Sequence, residues 1–178
     1  MDERDTPRAD AGEAAVAALL AGVPLFAPVG EQRPGRVGST TADPATGEVH
    51  KAIVEYGTGE GGTDVEIMTR RWDAGEAGPE QARALCVERD FMQRRMRGDL
   101  DARPLPLPEG SAWTTRRIDV DGTPRDFTVL ATPFSWVAVA ALPGGVLVRL
   151  FASAPRPHLA ALRRITAPGD LRPIVGRS

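Results

Sequence analysis

The stretch that decides the fold is residues 134–152, FSWVAVAALPGGVLVRLFA, in which two apolar runs flank Pro143-Gly144-Gly145. Short apolar runs on either side of a glycine turn are typical of a β-hairpin. The first run is apolar on both faces, with Trp136 on one and Val137 on the other. A strand of this kind lies centrally in a sheet covered on both sides, or it faces a partner.

Alternating apolar residues predict more strands on either side of this hairpin. Residues 48–56 and 63–72 form one predicted hairpin around a glycine-rich connector, and residues 113–120 and 127–132 form another around Asp121-Gly122. The proline-broken segment 23–29 suits a short edge strand, where missing donors are tolerated.

Three segments predict helices. Residues 12–21 are alanine-rich, residues 79–97 begin with Pro79 as a first helical residue, and residues 157–165 carry apolar residues at three-residue spacing. We expect the central helix to be amphipathic. The residues predicted to face inward are Ala82, Leu85, Phe91, Met92 and Met96, and those predicted to face solvent are Arg83, Glu88, Asp90, Arg94 and Arg97.

These elements predict an α+β fold, with a mostly antiparallel sheet of about six strands packed by an N-terminal, a central amphipathic and a C-terminal helix. We expect a single domain over residues 12–167, because 178 residues are enough for one core. The remaining segments are expected to be flexible: the N-terminal tail 1–11, the loops 30–47 and 98–111, and the C-terminal tail 168–178.

Charge and cysteine content limit the function classes. The formal net charge is −2, so there is no overall field to attract nucleic acid or an anionic membrane. Residues 1–76 hold 14 acidic and 7 basic side chains, whereas residues 77–178 hold 10 acidic and 15 basic ones. A single cysteine, Cys86, excludes an internal disulfide, and the N-terminal apolar stretch is too broken to span a membrane. We therefore expect a cytoplasmic protein with no cofactor and no membrane partner.

Five residues are candidates for ligand or partner binding. Arg149 stands on an apolar strand face between Leu147 and Phe151, where a guanidinium must reach water, pair with a carboxylate or bind an anion. His50, near Glu48 and Glu55 in sequence, is the better general-base candidate of the two histidines. The other three candidates are Arg116, Trp113 and Trp136.

No catalytic or metal-binding motif is present in the sequence, which leads to three hypotheses. The first is a non-catalytic binding or protein-interaction module for an unknown protein or small molecule, with a homodimer as one form. Its binding surface is either the doubly apolar region of the sheet or the groove between the sheet and the central helix. The second is a small-molecule enzyme that uses His50 or acidic residues with an arginine as anion anchor. The third, which the net charge disfavours, is nucleic-acid binding through arginines: Arg70, Arg71, Arg94, Arg95, Arg97, Arg116 and Arg117.

Overall fold

The computed structural model of the chain describes residues 7–57, 65–72, 78–153 and 157–172, with side chains from residue 14 onward. In this part of the chain, ten strands form one curled, mixed sheet, a half-barrel, accompanied by two helices and a short 3-10 turn. The helices are α1 (Pro7–Gly22) and α2 (Pro79–Met96), and the 3-10 turn is Pro168–Asp170. The strands are β1 (Phe26–Pro28), β2 (Gly35–Ala42), β3 (Val49–Tyr56), β4 (Val65–Arg71), β5 (Ala112–Val120), β6 (Thr123–Ala131), β7 (Trp136–Leu142), β8 (Val146–Ala152), β9 (Ala161–Arg164) and β10 (Leu171–Arg172).

The sheet order is β1-β9-β5-β6-β7-β8-β4-β3-β2-β10. Two pairs, β5 with β9 and β10 with β2, are parallel, and the others are antiparallel. The prediction of about six antiparallel strands with three helices is therefore wrong.

The predicted C-terminal helix is a strand. Leu159, Leu162 and Ile165 are all buried, but the chain is extended there and β9 pairs with both β1 and β5. The three-residue spacing of these buried residues is typical of a helix, but it does not come from one here. Only Leu162 of the three lies inside the strand, and Leu159 and Ile165 lie on either side of it. The backbone partners, which lie far away in sequence, decide the conformation.

The predicted loop 30–47 contains strand β2. Its sequence, GRVGSTTA, has no apolar alternation, and most of its side chains are exposed. Backbone pairing with β3, interrupted by two register irregularities, holds it in the sheet. Beyond residue 167, the 3-10 turn leads into β10, which pairs with the start of β2.

The predicted hairpins agree with the structure. β3 pairs with β4, β5 with β6, and β7 with β8. In the β5–β6 turn, Asp121 and Gly122 have φ values of 53° and 81°, as a two-residue hairpin with matching twist requires. β1 lies at one end of the sheet, as expected of the proline-broken segment. The connector between β3 and β4 lies mainly outside the described residues.

The two faces of the sheet pack against different elements. The α1 face carries one apolar cluster with Val16, Trp136 and Leu150, and the α2 face carries a second with Cys86, Val137 and Phe151. The curl of the sheet brings distant strands together on the α1 face, where the Tyr56 hydroxyl donates a hydrogen bond to the Phe26 carbonyl over 3.2 Å. The first five residues of β7 are accordingly buried, which confirms that this hairpin is shielded on both sides.

Helix α2 follows its predicted range but turns another side to the sheet. Its buried residues are Cys86, Asp90 and Arg94, whereas Met92 and Met96 are 50% and 73% exposed. The assignment of Asp90 and Arg94 to the solvent side is therefore wrong. These two residues are paired with each other and hydrogen-bonded to the neighbouring segments, so they can be buried without leaving a charge unpaired.

Candidate functional site

Five side chains lie in cross-strand register on the α2 face, in a row across five adjacent strands. The order is Arg172 on β10, Arg36 on β2, Glu55 on β3, Glu66 on β4 and Phe151 on β8. Directly opposed residues on neighbouring strands point to the same face and lie within contact range. A charged row of this kind is therefore fixed by the strand register, and it continues into the apolar surface under α2.

The row borders a cleft of about 590 Å³ beside the C-terminal half of α2. Arg36, Glu55 and Glu66 line it from the sheet, and Arg89 and Met96 line it from the helix. The segment before β2 and the end of β3 complete the lining with Glu31, Arg33 and Tyr56. The volume falls in the range of about 300–1,000 Å³ that is typical of ligand pockets.

A buried ion-pair triad closes the inner end of the cleft. Glu66 Oε1 accepts hydrogen bonds from Arg89 Nε at 3.2 Å and Arg149 Nη2 at 3.1 Å, and Glu66 Oε2 accepts one from Arg89 Nη2 at 3.0 Å. The Arg89 guanidinium also stacks 3.5 Å from the centroid of the Phe151 ring. The three charged side chains are only 11–16% exposed.

The triad contains one more positive than negative charge. Burial by itself would raise the pKa of Glu66, but the hydrogen bonds and charges of Arg89 and Arg149 outweigh it and lower that pKa. Burial lowers the pKa of Arg149, although Glu66 opposes this. Arg89 Nη1 and Arg149 Nε are buried and have no hydrogen-bond partner in the described part of the chain.

The other two carboxylates of the cleft are also matched to arginines. Glu31 accepts two side-chain hydrogen bonds from Arg33, which lower the pKa of Glu31 to about 2. Glu55 contacts Arg36 in the cross-strand row. Each of the three glutamates in the described lining is therefore already paired with an arginine of this chain.

Arg172 is the cleft arginine without such a match. It stands directly opposite Arg36 in parallel register, and within residues 7–57, 65–72, 78–153 and 157–172 it forms no ion pair. Among the described residues, the lining includes four arginines and three glutamates, a formal charge of +1, and Arg149 behind Glu66 raises this to +2. The electrostatics of the cleft favour an anion.

The structure does not bring the five sequence-predicted site residues together. Arg149 lies on the α2 face in the triad, and Trp136 is buried on the α1 face with Arg116 5.8 Å from its ring. Trp113 is half-buried on β5 beside Arg83, and His50 is half-buried on β3 outside the cleft lining. Only Arg149 is connected to the cleft, through Glu66.

Most of the cleft residues were not predicted from the sequence. Arg33 and Arg36 lie in the segment predicted to be a loop, and Arg172 lies in the predicted tail, so no strand register was available for them. Glu66 could have been found, because it alternates with Met68 on a predicted strand and a buried Arg149 needs an acidic partner. Nothing in the sequence around Arg89 marks it as a residue of the site.

A second buried polar cluster attaches α2 to the sheet. Asp90 is fully buried, and its Oδ1 accepts hydrogen bonds from the Thr132 and Ser135 hydroxyls, both at 2.7 Å. Its Oδ2 accepts one at 2.9 Å from Arg94, which also donates to the Arg103 carbonyl. The Ser135 hydroxyl donates its hydrogen bond to the buried Asp90 carboxylate, and no histidine among the described residues contacts it as a general base. This cluster therefore holds the helix in place and does not activate Ser135 as a nucleophile.

Cys86 is also a structural residue. Its side chain is fully buried beneath α2, and burial raises the pKa of its thiol to about 12. A thiol in this environment stays protonated and is a poor nucleophile. In the described part of the chain, no group of three or more His, Cys, Asp and Glu side chains is placed to hold a metal ion.

Comparisons with protein-family models, curated proteins and solved structures gave no match to the chain. No helix among the described residues is long and apolar enough to cross a membrane. Among the arginines considered for nucleic acid, Arg71 pairs with Glu48, Arg94 with Asp90 and Arg117 with Asp126.

Proposed function

We propose that this protein is a non-catalytic binding module that holds an anionic ligand in the cleft beside α2. The observation that carries the proposal is the pair of Arg36 and Arg172, which stand opposite each other with Glu55 as their one neighbouring carboxylate in the row. Like charges opposed across strands are unfavourable, so an anion that bridges them stabilises the site. Guanidinium groups also match carboxylates and phosphates with two parallel hydrogen bonds.

The proposal moves the binding surface away from the β7–β8 hairpin. Both faces of that hairpin are covered within the chain, by α2 on one side and by the curled sheet and α1 on the other. We therefore choose the other surface considered for a binding module, the groove between the sheet and the central helix, in which the cleft lies. For the enzyme hypothesis, His50 does not line the cleft, and the glutamates that do line it, Glu31, Glu55 and Glu66, are each held in an ion pair with an arginine.

We place this binding function in the cytoplasm, for a ligand available inside the cell. The support is the single, buried and protonated Cys86, which needs no oxidising compartment.

The test uses inorganic pyrophosphate and citrate as probes, at constant ionic strength with sodium chloride as the reference. We expect both probes to raise the melting temperature in a saturable manner, because a ligand that binds only the folded state stabilises it. The Arg36→Gln/Arg172→Gln variant removes the arginine pair that binds the anion and should lose this response. Arg164→Gln is the matched control, because Arg164 is exposed on β9, outside the cleft lining.

Two results would contradict the proposal. The first is an unmodified protein that responds to pyrophosphate and citrate no more than to sodium chloride. The second is an Arg164→Gln variant that loses as much of the response as the double variant, since that would indicate nonspecific charge screening.

A further inference from the structure

We infer that the anion is part of an acidic protein segment that carries apolar side chains beside its carboxylates. This inference rests on the proposed function of the cleft. The additional observation is a pair of exposed methionines, called here the methionine lip: Met96 lines the cleft, and Met92 lies one helical turn before it on α2.

The methionine lip belongs to one stripe of α2. Leu85, Arg89, Met92 and Met96 follow each other at spacings of four, three and four residues, which places them along one side of a helix. Exposure is highest at the two methionines. Leu85 packs against the α2-face cluster, Arg89 is 11% exposed in the triad, and the two methionines are 50% and 73% exposed.

The stripe therefore passes from buried packing to an uncovered apolar surface at the cleft, and Met96 itself lines the cleft. Uncovered large apolar side chains beside a pocket are typical of interaction sites. Methionine is suited to this position because its flexible, polarisable side chain adapts to varied apolar partners.

A small anion does not account for this arrangement. A phosphate or a single carboxylate satisfies the Arg36–Arg172 pair but leaves most of the 590 Å³ cleft and the methionine lip uncovered. A segment several residues long fills the cleft, with one carboxylate at the arginine pair and an apolar side chain on the methionines. The positive charge of the cleft selects an acidic segment, because the carboxylates that line it are already paired.

The experiment compares three dye-labelled ten-residue peptides by fluorescence polarisation at about 150 mM salt, close to physiological ionic strength. The first peptide alternates Glu and Leu, the second alternates Glu and Ser, and the third alternates Lys and Leu. We expect the Glu/Leu peptide to bind about tenfold more tightly than the Glu/Ser peptide, since burying apolar side chains on the lip adds binding free energy. The Lys/Leu peptide should not bind.

Two variants separate the contribution of the methionine lip to peptide affinity from the contribution of the arginine pair. Met92→Ser/Met96→Ser should remove the preference for leucine and leave the Glu/Ser peptide unaffected, whereas Arg36→Gln/Arg172→Gln should weaken both acidic peptides. Both methionines are exposed, so their replacement should not affect folding. Leu105→Ser is the matched control, because Leu105 is 63% exposed and lies outside the cleft lining.

The outcomes separate this inference from the proposed function. If pyrophosphate and citrate stabilise the protein while the Glu/Leu and Glu/Ser peptides bind equally, the peptide inference is wrong and the anion site remains. If none of these probes binds, both are wrong. A labelled oligo(dT) that outcompetes the peptides, or a dimer in sedimentation that the methionine variant dissociates, would assign the cleft to nucleic acid or to a second copy and overturn the inference.

Discussion

Replacing Glu66 with Gln tests the electrostatics of the cleft most directly. Glu66 contacts both Arg89 and Arg149, and it accepts three hydrogen bonds from them. Gln keeps the shape and one acceptor oxygen, but it removes the negative charge and turns an amide donor toward a guanidinium. Two arginines that are 11% and 13% exposed are then left without a countercharge.

The expected loss of stability follows from the burial of these groups. Removing one partner of a buried ion pair costs about 3–5 kcal/mol, and we expect the lower end because Gln retains one acceptor. For a chain of this size, about 3 kcal/mol corresponds to a fall in melting temperature of roughly 6–12 °C. Arg149→Met should change stability by less than about 1 kcal/mol, because it removes the surplus cation and leaves Glu66 paired with Arg89.

Urea unfolding of the two single variants and of Glu66→Gln/Arg149→Met measures these differences. We expect the double variant to regain part of the stability that Glu66→Gln loses, since one uncompensated guanidinium is gone. If Glu66→Gln costs less than about 1 kcal/mol, or if Arg149→Met costs as much as Glu66→Gln, the surplus-charge description of the triad is incorrect.

Two further predictions concern acid stability and the attachment of α2. Because the folded pKa of Glu66 lies below its unfolded value of about 4.3, the contribution of the triad is complete above that pH and is lost as the pH falls through the lowered pKa. Between pH 6 and pH 3, the melting temperature should therefore fall less steeply with pH for Glu66→Gln than for the unmodified protein. Equal slopes for the two proteins would count against the triad. Asp90→Ala should cost about 3–5 kcal/mol in urea unfolding, because it leaves buried Arg94 and two hydroxyls unpaired, whereas Ser135→Ala should cost about 1 kcal/mol; similar losses for the two variants would show that Asp90 does not organise this cluster.

The sequence predicted the hairpins because their signals are local. The Asp121-Gly122 turn and the alternation of β5 and β6 lie within about twenty residues of each other, so pairing partner and turn chemistry appear together. β2 and β9 have no such local signal. Their conformation depends on backbone partners that are distant in sequence, which residue patterns do not identify.

The candidate site was less accessible to sequence reasoning than the fold, and for the same reason. Arg149 was identified because a cation on an apolar strand face is unusual, and its internal pairing was among the outcomes considered. The opposition of Arg36 and Arg172 depends on the register between β2 and β10, which are separated by more than 120 residues. No composition or spacing rule brings these two residues together.

The positions of β9 and β10 in the sequence affect how the chain folds during synthesis on the ribosome. β9 lies between β1 and β5 near one end of the sheet, and only six residues later β10 completes the opposite end. Both closures therefore wait until residues 161–172 have been synthesised, and until then the backbones of β1, β5 and β2 lack these partners. Such high contact order slows folding and leaves nascent strands open to aggregation, so cellular yield should depend strongly on an intact segment 161–172.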